Sequence, residues 1–156
     1  MKKRLFSQHK IIMLILSLII LVFGSLSYAT ECLVTRIVDG DTAICGQNRI
    51  RLAVIDAPEL NQPYGRDAKQ CLSDLILNQN INYNSNKKDQ YGRIVARCYL
   101  NGVDISLYMI KYGCAWVYMT TTKKLVEAQR AAKETKIGLW EHENPIPPWQ
   151  YRKGAR

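Results

Sequence analysis

The chain has 156 residues, with 22 Lys and Arg against 13 Asp and Glu and a formal charge of +9. Such an excess suits a polyanionic partner without selecting one. The absence of a C-x-x-C spacing, with His9 and His142 the only imidazoles, speaks against a structural zinc site.

Residues 1–29 read as a signal peptide. Lys2, Lys3, Arg4 and Lys10 form a basic start, Ile11 to Phe23 is apolar, and Ser27-Tyr28-Ala29 is a small-x-small cleavage site. The alternative is an uncleaved anchor, since Ile11 to Ala29 is nineteen nearly uncharged residues, just long enough to span a membrane. The residues before Cys32 lack the apolar run of a lipid-modification site. Cleavage after Ala29 leaves 127 residues and, with four basic residues gone, a charge of +5. That length admits one domain with a real core and is too short for two.

The exported part begins with strands. Leu33 to Val38 is short and β-branched and meets Asp39-Gly40, a hairpin turn signal. Thr42 to Cys45 returns, Gly46-Gln47-Asn48 turns again, and Arg49 to Ile55 forms a third strand that Pro58 closes. Gly65 to Leu77 has helical spacing, with Ala68, Cys71, Leu72, Leu75 and Ile76 on one face. Ile81 to Asn84 and Ile94 to Leu100 are the remaining strands, the latter ending at Asn101-Gly102. Asp104 can cap a helix reaching Tyr112, with Gly113 just past its end. Thr121 or Thr122 can cap a last helix over Lys123 to Lys136, on which Leu125, Ala128 and Ala132 form a stripe. Residues 141–156, with Pro145, Pro147 and Pro148 and a basic end, read as an extended surface tail. The fold expected is α+β and mainly β: a five-stranded barrel of the oligonucleotide-binding kind in meander-like order, three helices outside, over residues 30–140.

The five cysteines, Cys32, Cys45, Cys71, Cys98 and Cys114, all lie in the exported part, where pairing is expected. Cys32 and Cys45 flank a tight turn on opposite strands and are the first choice for a bridge, with Cys71 and Cys98 a distant second choice and buried, unpaired cysteine the plainer alternative. An odd count leaves one thiol free or intermolecular, and the expected state is a monomer.

Three clusters carry the chemistry: Asp39-Gly40-Asp41-Thr42, Arg51 to Glu59 (RLAVIDAPE), and Asp89-Gln90-Tyr91-Gly92-Arg93. A hard cation such as calcium takes carboxylate, carbonyl and water oxygens. Asp41 leaves a turn and Asp56 ends a strand fifteen residues on, so the two would converge if the first three strands pair as a meander. Glu59, after a proline, is spare and can accept a proton from water. Arg51 and Arg93 each offer a planar fork that can grip phosphate oxygens. Taken singly, these features have plainer readings: Asp39-Gly40-Asp41 as a solvated turn, either arginine as a surface ion pair.

Together, D-G-D-T, R-L-x-x-I-D-A-P-E, D-x-Y-G-R and a final helix ending in G-L-W resemble the staphylococcal-nuclease-like (thermonuclease) family over about residues 32–140. The resemblance implies a calcium ion held by Asp41, Asp56 and the Ala57 carbonyl, with Asp39 nearby. It implies Glu59 as the catalytic carboxylate and Arg51 and Arg93 on the phosphate, with Arg93 read as an electrostatic stabiliser because a guanidinium rarely releases a proton. Tyr91 matches a family position near the bound nucleotide; Trp116 and Tyr118 lie in a shorter segment where the family also carries nucleotide-contacting tyrosines, and core packing suits either at least as well. Ala57 stands where the staphylococcal enzyme has Thr, Gln90 where it has Lys, and the loop Leu60 to Tyr64 is shorter. Trp149, Tyr151, Arg152 and Lys153 would either staple the tail to the barrel, the favoured reading, or extend the nucleic-acid surface.

The function expected is that of an exported calcium-dependent endonuclease. It would hydrolyse phosphodiester bonds of DNA and RNA and, on the family precedent, leave 3′-phosphorylated ends. The alternative is a catalytically silent nucleic-acid-binding barrel, for which the five charged residues would be unnecessary.

Overall fold

The computed structural model describes residues 30–85 and 87–154, so the expected signal peptide over 1–29 lies outside the described residues. Nine strands are named: β1 Thr30–Ile37, β2 Thr42–Cys45, β3 Asn48–Leu52, β4 Ile55–Asp56, β5 Asn80–Tyr83, β6 Ile94–Ala96, β7 Cys98–Leu100, β8 Val103–Asp104 and β9 Trp116–Val117. Four α-helices accompany them: α1 Gly65–Ile76, α2 Ile105–Lys111, α3 Lys123–Glu134 and the short α4 Pro148–Tyr151, with a 3-10 turn at Gly138–Glu141. Among the described residues no helix is long and apolar enough to cross a membrane.

The main sheet runs β6-β3-β2-β1-β5-β7-β8. Because β6 and β7 are one strand bent at Arg97, the ring from β6 through β3, β2, β1 and β5 to β7 closes on itself. This is the expected five-stranded oligonucleotide-binding barrel. Two strands do the closing by dividing their length between two partners. The N-terminal half of β1 pairs with β5 and its C-terminal half with β2, across a register shift between Val34 and Arg36. A bulge at that point bends the strand, as closure requires. β6 pairs parallel to β3 while β7 pairs antiparallel to β5. The expected meander therefore holds only for the first three strands; the chain then crosses over α1 to pair β5 with β1.

The predicted third strand is interrupted. Val54 takes a left-handed φ of 63°, ending β3 at Leu52 and starting β4 at Ile55, which pairs with β9. That reversal fixes the site described below.

The core is filled from both layers. Val34 and Ile37, on either side of the β1 bulge, point inward with Ile50, Leu52 and Ile81, and Leu72 and Ile76 of α1 with Ile105, Met109 and Ile110 of α2 complete the core. Each such aliphatic side chain, fully buried, contributes about 1.5–3 kcal/mol. Asp104 caps α2 as expected, its carboxylate accepting from the Leu107 N–H at 3.2 Å. Thr122 occupies the N-cap of α3 without a side-chain bond to the helix.

Two disulfides staple this arrangement. Cys32–Cys45 is the expected one; Cys71 bridges to Cys114, not to Cys98, which is a free buried thiol. Cys98 faces the barrel core from β7, whereas Cys71 lies beside the segment that leaves α2. The tail is not extended either. Residues 148–151 form α4, and Trp149 packs against Trp116 and Tyr118, with ring centroids 5.7 and 5.5 Å apart.

Candidate active site

The three sequence clusters meet at one open cleft of about 890 Å³. The β1–β2 turn supplies the first carboxylates. Gly40 allows close approach there: a Cβ would lie 2.6 Å from the Cβ of Ala57 and 2.9 Å from that of Ala68. With the turn drawn against the Ala57 segment, Asp41 turns inward and its Oδ2 accepts the Ala57 N–H at 2.8 Å. Its backbone carbonyl accepts from Leu52 at 2.8 Å, locking it beside β3. Asp39 stays nearer the rim, its Oδ1 taking the Asp41 N–H at 3.1 Å.

Arg51 does not point outward from β3. The reversal at Val54 brings the carbonyls of Leu52 and Ile55 to its Nη1, which donates to them at 2.7 and 2.9 Å. Its Nη2 lies 3.0 Å from Asp41 Oδ2 and 2.9 Å from Asp56 Oδ1. Both carboxylates are buried, at 6 % and 2 % exposure. Burial raises Asp41 to about 7 against the pull of Arg51, and neighbouring Asp39 and Asp56 add to the rise. One guanidinium nitrogen is thus shared between the two inner carboxylates.

Glu59 sits on the loop after Pro58. Its backbone N–H donates to Gln62 Oε1 at 3.2 Å, its carbonyl accepts from the Gln62 N–H at 2.8 Å, and buried Gln62 reaches the Ile146 carbonyl at 2.6 Å. Gly65 lets α1 begin directly under this loop, since a Cβ there would stand 1.8 Å from the Glu59 carbonyl oxygen. The Glu59 carboxylate is held by Arg152, whose Nη1 lies 2.6 Å away while its Nη2 lies 2.7 Å from Asp56 Oδ2.

Across the cleft, Asp89 organises the third cluster. Its Oδ1 accepts the backbone N–H groups of Tyr91 and Arg93 at 2.9 and 3.0 Å, and its Oδ2 binds Arg93 Nε at 2.7 Å. Burial opposes ionisation of Asp89, but the Arg93 side-chain bond and these backbone bonds outweigh it and lower its pKa. Arg93 in turn lies 5.3 Å from the ring centre of Tyr91, which is 68 % exposed.

Asp41, Arg51, Asp56, Ala57, Glu59, Tyr91, Arg93 and Tyr118 all line the cleft. Trp116 does not: its ring is packed in an aromatic cluster, 4.2 Å from Trp140 and flanked by Trp149, with Lys133 Nζ 5.2 Å from its centre. Its expected nucleotide contact is not supported by this placement, because β9 pairs with β4 and directs Trp116 towards α3 and the tail. Sequence reasoning gave no role to Asp89 or Gln62 and left Arg152 between two. A D-x-x-x-R spacing across a Gly-containing turn is a usable signal for the first; nothing local marks the others.

The donor set suits a hard cation. Among the described residues no cluster of three or more acidic, His or Cys side chains stands at metal-ligand spacing. There are instead two buried carboxylates, Asp41 and Asp56, next to the Ala57 backbone, oxygens that calcium can complete with water or substrate.

Residues 49–142 match the family described as staphylococcal nuclease homologue. The chain is 38% identical over 151 residues to an uncharacterized endonuclease of Haemophilus influenzae, covering 90% of this chain and 85% of that one. It is 36% identical over 126 residues to an uncharacterized endonuclease of Escherichia coli, covering 76% and 82%. A staphylococcal-like nuclease of Arabidopsis thaliana is 36% identical over 110 residues, covering 69% of this chain but only 34% of the longer plant protein. Closed barrel, convergent clusters and sequence agree: the chain belongs to the staphylococcal nuclease family.

Proposed function

We propose that the protein is a calcium-dependent endonuclease that hydrolyses phosphodiester bonds of DNA and RNA. The observation that carries this reading is the convergence of buried Asp41 and Asp56 on one guanidinium nitrogen, in the same cleft as Glu59 and Arg93. Asp41, Asp56 and the Ala57 carbonyl would hold the ion, which when bound would polarise a phosphoryl oxygen and acidify water.

Glu59, 37 % exposed at its side chain, can reach solvent in the cleft. It would take one proton as water oxygen bonds to phosphorus and the bond to the 5′ oxygen breaks, the leaving alkoxide being reprotonated from solvent. Arg93, held by Asp89, is pre-aimed to offset charge building on the phosphoryl oxygens. Arg51 spends its Nη2 on the two carboxylates, so its part in gripping phosphate requires another cation to meet their charge. Tyr91 and Tyr118 offer ring faces to bases at the cleft rim. Export is part of the proposal, supported by residues 1–29 and by two disulfides, which persist in oxidising compartments.

The test is digestion of single-stranded DNA with calcium and then with excess chelator. Cleavage that chelator abolishes and added calcium restores is expected. Cleavage indifferent to chelator would overturn the metal, and binding without cleavage under any divalent ion would leave a nucleic-acid-binding module.

A further inference from the structure

We infer that the C-terminal segment completes the active site, with Arg152 a positioning residue that holds Glu59 for proton transfer; this rests on the proposed role of Glu59. The segment lies beyond residue 142, outside the family match. Yet it touches the Glu59 loop at three successive points. The Ile146 carbonyl accepts from Gln62 Nε2 at 2.6 Å, the Tyr151 hydroxyl donates to the Asn61 carbonyl at 3.0 Å, and Arg152 Nη1 meets Glu59 Oε1 at 2.6 Å.

The delivery of Arg152 is built, not incidental. Pro147 is the N-cap residue and Pro148 opens α4, where a missing N–H costs nothing. Trp149 then anchors the helix on Trp116 and Tyr118, next to β4 and its Asp56. The Arg152 fork seats both its nitrogens on Asp56, which is 2 % exposed, with Nη2 at 2.7 Å from Oδ2 and Nη1 at 3.3 Å from Oδ1, and Nη1 also meets the half-exposed Glu59. Asp56 is fixed by β4, so the planar fork sets where Glu59 must stand. Among the described residues the Glu59 carboxylate has no other partner. Without Arg152 it would be free to rotate about its own side-chain bonds.

The pair with Glu59 is half-exposed and contributes little to stability, and buried Asp56 keeps Arg51 Nη2 at 2.9 Å when Arg152 is removed. The pair's effect on a reacting carboxylate can be large, because misplacement by about 1 Å can cost on the order of 100-fold in rate. That contrast makes the inference testable. In the full chain, Arg152→Ala should lower kcat on single-stranded DNA by roughly ten- to a hundred-fold, with KM changed less than about twofold and Tm lowered less than in Arg51→Met, because Arg51 still meets Asp56. Arg152→Lys, which keeps charge but loses the fork, should restore only part of the rate.

The decisive comparison is Arg152→Ala made in a Glu59→Gln background, where it should have no further effect. In the chelated protein, hydrogen exchange at the Glu59 and Gln62 amides should quicken in Arg152→Ala. An unchanged or raised kcat, the latter the mark of an autoinhibitory tail, would overturn the inference. So would a loss confined to KM, the mark of a direct phosphate contact, or a full loss persisting in the Glu59→Gln background. Failure of the underlying reading shows separately, as wild-type kcat in Glu59→Gln alone.

Discussion

Replacing Arg51 by Met is the sharpest probe of the electrostatics inside the cleft. The substitution keeps much of the apolar stem and removes the guanidinium, which is 13 % exposed and lies against carboxylates 8 % and 2 % exposed at their side chains. Removing one partner of a buried ion pair costs about 3–5 kcal/mol, because the remaining charge is left uncompensated. Arg152 still neutralises part of Asp56, which argues for the lower half of that range; the lost bonds to the Leu52 and Ile55 carbonyls argue for the upper half. About 4 kcal/mol is therefore expected, a large share of the roughly 5–15 kcal/mol that holds a domain together.

The loss should also depend on pH. Asp41 has a folded pKa raised by burial from 3.8 to about 7, so its titration favours the fold below about 4 and that contribution is lost as pH rises through about 7. The penalty in Arg51→Met should accordingly be greatest near pH 8 and shrink near pH 5. Urea denaturation in chelator at both pH values measures it, and saturating calcium should recover part of the loss by binding the folded state. A loss below about 1 kcal/mol at pH 8 in chelator would refute the reasoning, since that is the value of an exposed pair.

Other outcomes follow from the same geometry. Cys71→Ser with Cys114→Ser opens a loop of 43 residues and should cost about 4 kcal/mol by loop entropy, read as a lowered urea midpoint. Peptide mapping without reductant should find Cys98 unpaired, and its thiol, pushed up to about 12 by burial and by Asp104, should resist alkylation until the protein unfolds. Gly65→Ala forces a Cβ into the Glu59 carbonyl and should cost about 1–3 kcal/mol by overpacking while lowering kcat, measured by denaturation and initial rates together. Asp89→Ala releases Arg93 and two backbone N–H groups; kcat/KM should fall by about tenfold with a stability loss near 1 kcal/mol.

What the sequence made legible was what depends on near neighbours. The α1 face of Ala68, Leu72 and Ile76, the Asp104 cap and the Asp39-Gly40 turn are set by local periodicity and turn chemistry, and all stand in the structure. The motif residues Asp41, Arg51, Asp56, Glu59 and Arg93 also reach one cleft. The β1 bulge and the β6–β7 bend escaped because closing a barrel is a property of the whole ring, and no window of sequence contains it. Cys114 escaped as a bridge partner because it follows Gly113 in an irregular segment that no periodicity places. Arg152 lies 93 residues beyond Glu59, and the packing of Trp149 with the tail's bonds at Ile146 and Tyr151 carries it there.

The central claim is that Glu59 moves a proton in a cleft whose carboxylates hold a cation. The most direct measurement is kcat of Glu59→Gln on single-stranded DNA at saturating calcium, with KM and Tm alongside. The account predicts a fall of about 10²–10⁴-fold with KM and Tm close to wild type. A kcat within about threefold of wild type would contradict it, since a neutral amide cannot take the proton from water.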